Sequence, residues 1–246
     1  MSKSILSKKA NRSIGQAMHH YSMLADGDRV LIAVSGGVDS LALTAILKRW
    51  QLKTPIRYEI LGVYLDNGFE DATSDEVGGQ LQKIGVPHRI EKTDFWDRAE
   101  LAENGKSVCY HCAHLRRNRL FAIADELGFN KIAFGHHKDD ILETFFINLL
   151  YAGNISTMVP KQKLFNGRIH IIRPMAYLEK KDILEIAAAA GLTPVKNPCP
   201  QDKKSKRQEV RRIVAELSQL NPKVKSNIFA ALTNIRAEYL MKGKEG

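Results

Sequence analysis

No stretch of the chain approaches the ~18 consecutive apolar residues of a membrane span. The most apolar helix-like run, Ile141 to Tyr151, is broken by Glu143 and Asn148. The opening Met1-Ser2-Lys3-Ser4-Ile5-Leu6 is basic but carries none of the apolar core of a signal peptide. Together these absences predict a cytoplasmic protein with no membrane partner. Cysteine is scarce, three in 246 residues. So small and odd a number in a reducing compartment argues against a disulfide framework. There is no internal repeat and no low-complexity tract, which excludes solenoids and arrays.

What is present is the composition of a soluble globular protein, 44% hydrophobic and 26% charged. The length fits one or two domains and suffices for a core without disulfide or metal staples. The net charge of +10 is uneven. From Lys196 onward there are 12 basic and 5 acidic residues, against 25 and 22 before it. A nearly neutral body with a basic C-terminal segment suits a polyanionic partner such as nucleic acid, although a solubility-tuned surface would show the same excess.

The middle of the chain alternates strand and helix patterns. Arg29 to Val34 is a short apolar run ended by Ser35-Gly36-Gly37, and residues 38–50 carry apolar side chains at helical spacing. Tyr58 to Leu65 predicts a second strand, and Thr73-Ser74-Asp75-Glu76 a capping box opening a helix that stops near Gly85. Further strands are expected at His88 to Thr93 and Lys131 to Phe134, and helices at Leu115 to Leu127 and Asp139 to Tyr151. Asn166-Gly167 marks a hairpin. Glu179 to Ala190 predicts a helix, and two tail helices follow at about 207–219 and 223–240. The leading segment, about 9–25, is expected to be helical, and its Ile14, Met18 and Tyr21 can pack on their own core or on a second subunit, which leaves a homodimer open. This order predicts an α/β protein, a doubly wound and mostly parallel sheet with a helical, basic C-terminal extension. Ligands on such sheets bind at the carboxyl ends of the strands. The expected division is 1–26, a helical segment; 27–192, the α/β domain; and 193–246, a Cys-containing loop with the basic tail.

Three motifs carry chemistry. In Ser35-Gly36-Gly37-Val38-Asp39-Ser40, two glycines between a strand and a helix let successive N–H groups converge on an anion, and the helix N-terminus adds partial positive charge. Ser35 and Ser40 can donate hydroxyls. No Gly-Lys-Ser/Thr follows, so this is not a Walker A loop. In Cys109-Tyr110-His111-Cys112, two thiols two residues apart can share a metal or cluster. Cys199 lies in Asn197-Pro198-Cys199-Pro200, where the prolines stiffen the loop. A closed zinc site would need His111 or His114 as fourth ligand; a cluster on three cysteines would leave one iron open; a buried or redox pair is the plainest reading. In Gly135-His136-His137-Lys138-Asp139-Asp140, the carboxylates suit Mg²⁺ bridging phosphates, and the basic side chains can neutralise phosphate. Ordinary acidic residues at a helix N-terminus would look the same.

Ser-Gly-Gly-x-Asp-Ser resembles the PP-loop of ATP pyrophosphatases. Followed in order by Cys-x-x-Cys-x-x-x-Arg-Arg, Gly-His-His-x-Asp-Asp and Pro-Cys before a basic helix, it resembles the tRNA 2-thiocytidine synthetases, from about residue 10 to about 235. Arg173-Pro174-Met175-Ala176-Tyr177 and Glu179-Lys180-Lys181-Asp182-Ile183 are similar to that family's segment before Pro-Cys. One position departs: residue 38 is Val, where cluster-bearing thiolases usually have Lys. Lys138 or Arg116 is expected to supply the missing phosphate-neutralising charge.

The resemblance implies a PP-loop ATP-binding domain and an enzyme that adenylates O2 of a tRNA pyrimidine, cytidine in the anticodon loop, and replaces it with sulfur. It implies ATP on Ser35, Gly36, Gly37, Val38, Asp39, Ser40, Leu65, Gly135, His136 and Asp140. It places Mg²⁺ at Asp39 and Asp140, and a [4Fe–4S] cluster on Cys109, Cys112 and Cys199. Asp39, Arg116 and Asp140 are the catalytic candidates. Lys203, Lys204, Lys206, Arg207, Arg211 and Arg212 are the expected tRNA contacts, with sulfur supplied by a cysteine desulfurase or as sulfide. The alternatives are a persulfide-type thiouridine synthase using the same cysteines, and a lysidine-synthetase-like ligase with a structural zinc.

Overall fold

The computed structural model describes residues 5–69, 73–102, 105, 107–200 and 206–241. Two compact units are formed, Met1–Lys138 with Val159–Lys203, and Asp139–Met158 with Lys204–Gly246. The expected α/β domain thus shares its helix at Asp139 with the tail unit, because that helix and the tail helices exchange ion pairs described below.

The first unit is an α/β layer structure. A helix, α1 (Lys8–His20), precedes β1 (Arg29–Val34), α2 (Val38–Gln51), β2 (Glu59–Asp66), α3 (Ser74–Ile84) and β3 (His88–Lys92). Then come α4 (Phe95–Glu100), α5 (Val108–Glu126) and β4 (Lys131–Ala133). After α6 (Lys138–Ala152), the chain returns with β5 (Lys161–Leu164), β6 (Ile169–Ile172) and α7 (Lys180–Ala189). The six described strands run β3-β2-β1-β4-β6-β5. All pairs are parallel except the β5–β6 edge hairpin, whose turn holds Phe165, Asn166 and Gly167 at positive φ.

β1 is buried on both faces, as a central parallel strand must be. Val30, Ile32 and Val34 pack with α1, α2, α3 and α7, while Leu31 faces the opposite core with Val63, Phe95, Leu120, Ile123 and Ile132. That period of two builds the double winding. Within the first core, Ile14 of α1 is fully buried beside Ala10, Ala17 and Met18. Burial of a side chain like Ile14 is worth roughly 1.5–3 kcal/mol, so α1 belongs to its own core. The chain leaves β1 toward β2 on one side and later returns to β4 on the other. The carboxyl ends of β1 and β4 therefore flank a topological switch point, where open α/β sheets bind ligands.

Local signals differ from the sequence reading in four places. The helix after residue 73 forms, but Thr73 makes no side-chain cap; its hydroxyl bonds the Tyr64 phenol at 2.6 Å instead. α5 begins seven residues before the expected Leu115, because the Ser107 hydroxyl caps it by accepting from the Tyr110 N–H. The short α4 was not expected. The last helix ends at Ala231 rather than near 240, where the Thr233 hydroxyl and N–H both turn back on Ala230.

The second unit contains most of α6 with α8 (Lys206–Leu220) and α9 (Val224–Ala231). Glu143 of α6, almost buried, receives Arg211 Nε at 2.6 Å and faces Arg207 Nε at 3.5 Å. Lys225 of α9 holds Asp139 at 2.6 Å, and Tyr151 donates to Glu209 at 2.6 Å. No described helix is long and apolar enough to cross a membrane.

Candidate active site

The Gly-Gly turn sits at the switch point. Gly36 has φ +79°, a conformation L side chains rarely adopt, and a Cβ there would come within 2.9 Å of Val77 Cγ2. Gly37 caps α2 with backbone alone, so the first-turn N–H groups of α2 receive no side-chain cap. The turn is tied from within. The Ser40 hydroxyl accepts from the Ser35 N–H at 3.1 Å and donates to the Gly37 carbonyl at 2.9 Å. Ser40 is buried. Its hydroxyl therefore shapes the loop, where the sequence suggested a direct phosphate donor.

The segment after β4 closes on this turn. A Cβ on Gly135 would lie 3.0–3.1 Å from the backbone of Asp39 and Ser40, so a side chain there would have to displace that backbone by a few tenths of an ångström. Gly135→Ala is expected to push the Asp39–Ser40 backbone away and weaken ATP binding at least tenfold, with secondary structure retained. Nucleotide titration alongside circular dichroism checks it. His137 is buried, with Nε2 3.7 Å from the Asp39 carboxylate. His136 accepts at Nδ1 from Arg173 Nε at 3.2 Å. A guanidinium only donates, so this bond requires Nδ1 unprotonated and directs the ring proton to Nε2. Burial pulls the Arg173 guanidinium down to about 10, still charged at neutral pH.

A residue the sequence reading did not nominate enters here. Lys180 Nζ, from the first turn of α7, lies 2.6 and 2.8 Å from the two carboxylate oxygens of Asp39. Lys138, which was expected to supply charge, faces Glu179 at 3.6 Å. The legible signal was two lysines opening a helix, the end where a cation is disfavoured.

The cysteines gather at the same end of the sheet. Cys109 and Cys112 lie on the first two turns of α5. Cys199 is set by an Asx turn in which its N–H donates to the Asn197 side-chain oxygen at 3.2 Å. All three are free thiols. Burial pushes the Cys112 thiol up; the Arg116 guanidinium pulls it down, and Cys199 and Cys109 push it up again. Each of those groups must be near to act so. Arg116 is also felt by the Tyr64 phenol of β2, which joins the cysteine cluster to the strand end beside Leu65. Among the described residues, no three His, Cys, Asp or Glu side chains close to the spacing of a single metal ion.

The two halves are joined by backbone. The Val195 N–H, four residues before Cys199, donates to the Gly36 carbonyl at 3.0 Å. The cysteine loop is thus hydrogen-bonded to the phosphate turn itself.

Asp140 and Asp139 belong to the second unit, where Asp140 faces Arg207 at 3.9 Å and Asp139 is held by Lys225. Arg207 and Arg211 are engaged with carboxylates of α6, Lys206 lies over the Tyr151 ring at 4.5 Å, and exposed Arg212 faces Glu216 at 3.8 Å. Lys203 and Lys204 lie outside the described residues.

Comparison with known proteins bears on the fold and the family. Residues 6–217 match the PP-loop domain family. The chain is 38% identical to the tRNA-cytidine(32) 2-sulfurtransferase of Syntrophotalea carbinolica, over 96% of this chain and 92% of that one. It is 39% identical to that of Bordetella avium, over 96% and 76% respectively. Among solved structures, the U34-tRNA thiolase NcsA from Methanococcus maripaludis with its [4Fe-4S] cluster shares the fold, with a TM-score of 0.75 at 21% identity over 94% of this chain and 79% of that one. An NH3-dependent NAD synthetase from Campylobacter jejuni is more distant, with a TM-score of 0.53 at 16% identity over 96% of each chain. The chain belongs to the PP-loop ATP-binding proteins and, among them, to the tRNA-cytidine(32) 2-sulfurtransferase family.

Proposed function

We propose that the protein is an ATP-dependent tRNA sulfurtransferase acting on O2 of a cytidine in the anticodon loop, at position 32 as in the names of its relatives. The observation that carries the reading is the Val195–Gly36 hydrogen bond. It ties the loop that delivers Cys199 to the turn that receives phosphate, so activation and sulfur delivery share one strand-end crevice.

The turn at Ser35 to Ser40 holds the triphosphate by backbone N–H groups and the α2 N-terminus, with Leu65 on the nucleoside side. Cytidine O2 attacks the α-phosphorus, the bond from that phosphorus to the α,β-bridging oxygen breaks, and pyrophosphate leaves. Sulfide then adds at C2, and the C2–O bond breaks with departure of AMP. Asp39 would hold Mg²⁺, which neutralises charge on the leaving pyrophosphate when bound, and its carboxylate oxygens fit such a hard cation. Cys109, Cys112 and Cys199 fit a [4Fe–4S] cluster as a three-thiol donor set, which would supply an iron not held by cysteine to carry sulfur. Arg116, close to Cys112 and Tyr64, stabilises negative charge between the sulfur and nucleotide sides. The sulfur comes from a cysteine desulfurase or from sulfide.

Anaerobic incubation with ATP, sulfide and tRNA transcript should release AMP and pyrophosphate and yield 2-thiocytidine on nucleoside analysis. A transcript with another base at position 32 should give none. Amino-acid-dependent, sulfide-independent ATP consumption would instead support a lysidine-type ligase.

A further inference from the structure

Residues 35–40 contain no lysine or arginine, yet the group they receive carries about four negative charges and lies beside the carboxylate of Asp39. Backbone N–H groups and a helix terminus contribute only about half a charge. Beyond a bound Mg²⁺, any fixed protein cation has to come from elsewhere in the fold.

We propose that Lys180 is a pyrophosphate ligand supplied to the phosphate turn from α7, bridging Asp39 and the leaving group. The proposal rests on the ATP reading above and extends it to a residue outside the loop. Three observations support it. The ammonium already contacts both oxygens of Asp39, on the first turn of α2 directly after Gly36 and Gly37. The Lys180 side chain is 42% exposed, so it is partly accessible from solvent.

The third observation is positional. Lys180 and Lys181 are the first two residues of α7, where the helix dipole opposes positive charge. Lys181 has a local remedy in Glu179 at 3.1 Å. Lys180 reaches across 141 residues of sequence instead. A local rule broken in favour of a distant contact marks functional sites more often than surfaces. The backbone that carries it is fixed, because Glu179 and Asp182 form a reciprocal capping box at the start of α7.

The test uses the full-length protein with Mg²⁺ and three probes: ATP, inorganic pyrophosphate and AMP. Lys180→Gln removes the charge and keeps the length of the side chain close. It should weaken ATP and pyrophosphate binding about 10–100-fold, the range of a lost charge-assisted hydrogen bond, and AMP binding less than about twofold. Lys180→Arg should restore most of the pyrophosphate affinity. Unchanged pyrophosphate binding in Lys180→Gln would overturn the proposal. Equal losses for pyrophosphate and AMP would also overturn it, by showing that Lys180 only holds Asp39 and the turn in place. Failure of the wild type to bind either ATP or pyrophosphate would instead remove the nucleotide reading itself.

Discussion

Cys199→Ala is expected to abolish the iron–sulfur chromophore while leaving nucleotide binding close to wild type. Anaerobically purified wild type should contain about four iron and four sulfide per chain and show broad visible absorbance. Cys109 and Cys112 lie about one helical turn apart on α5, and Cys199 is the proposed third ligand, in a loop held by prolines at 198 and 200 and by the Asn197 bond. The substitution deletes one sulfur and no backbone group. The Val195–Gly36 bond and the Asn197 turn survive, so ATP affinity should change by less than about threefold, whereas 2-thiocytidine formation should fall below detection, at least about 10³-fold. One zinc per chain, or full absorbance in the variant, would reject the three-cysteine site and return weight to the persulfide or ligase chemistry.

The central strands were legible because Arg29 to Val34 and Tyr58 to Leu65 are largely apolar runs with glycine soon after, whereas β3 and β5 are rich in charged residues. Arg29 to Val34 could be little else, and the chain order then left few topologies. Less legible were elements defined by a single side-chain bond. The Ser107 cap extends α5 over a stretch without aliphatic periodicity, and Thr73 could have capped α3 but is taken by Tyr64. Capping chemistry depends on which partner arrives first in space, and sequence spacing does not record that.

At the site, residue types were legible and their employment was not. Gly36 and Gly135 stood out, but what a side chain at Gly135 would displace depends on the approach of Asp39 from another strand end. Ser40 looked like a phosphate donor and is a loop strut. Lys180 stands in a family-like segment whose sequence shows no role for it, because its partner is fixed only when α7 packs beside α2.

The basic tail shows the same limit on a larger scale, and it yields the second large effect. Arg211 was nominated for tRNA phosphate, yet its guanidinium lies 2.6 Å from the nearly buried Glu143, with Arg207 alongside. Removing one partner of a buried pair costs ~3–5 kcal/mol, because the other charge is left unpaired. Arg211 is 57% exposed and Arg207 still faces Glu143, so the expected loss for Arg211→Ala is nearer ~1–3 kcal/mol. That is enough to expose α8 to hydrogen exchange and limited proteolysis. Arg212 is 75% exposed and only loosely paired with Glu216, so Arg212→Ala should leave the tail intact. Affinity for tRNA separates the two roles. Each phosphate contact removed lowers the salt-dependence slope by ~0.7–0.9. The expected result is a lower slope for Arg212→Ala, and a destabilised tail with an unchanged slope for Arg211→Ala. A lower slope with a stable tail for Arg211→Ala would mean that its guanidinium leaves Glu143 for phosphate when tRNA binds. The ion pair would then be a resting position that tRNA phosphate displaces.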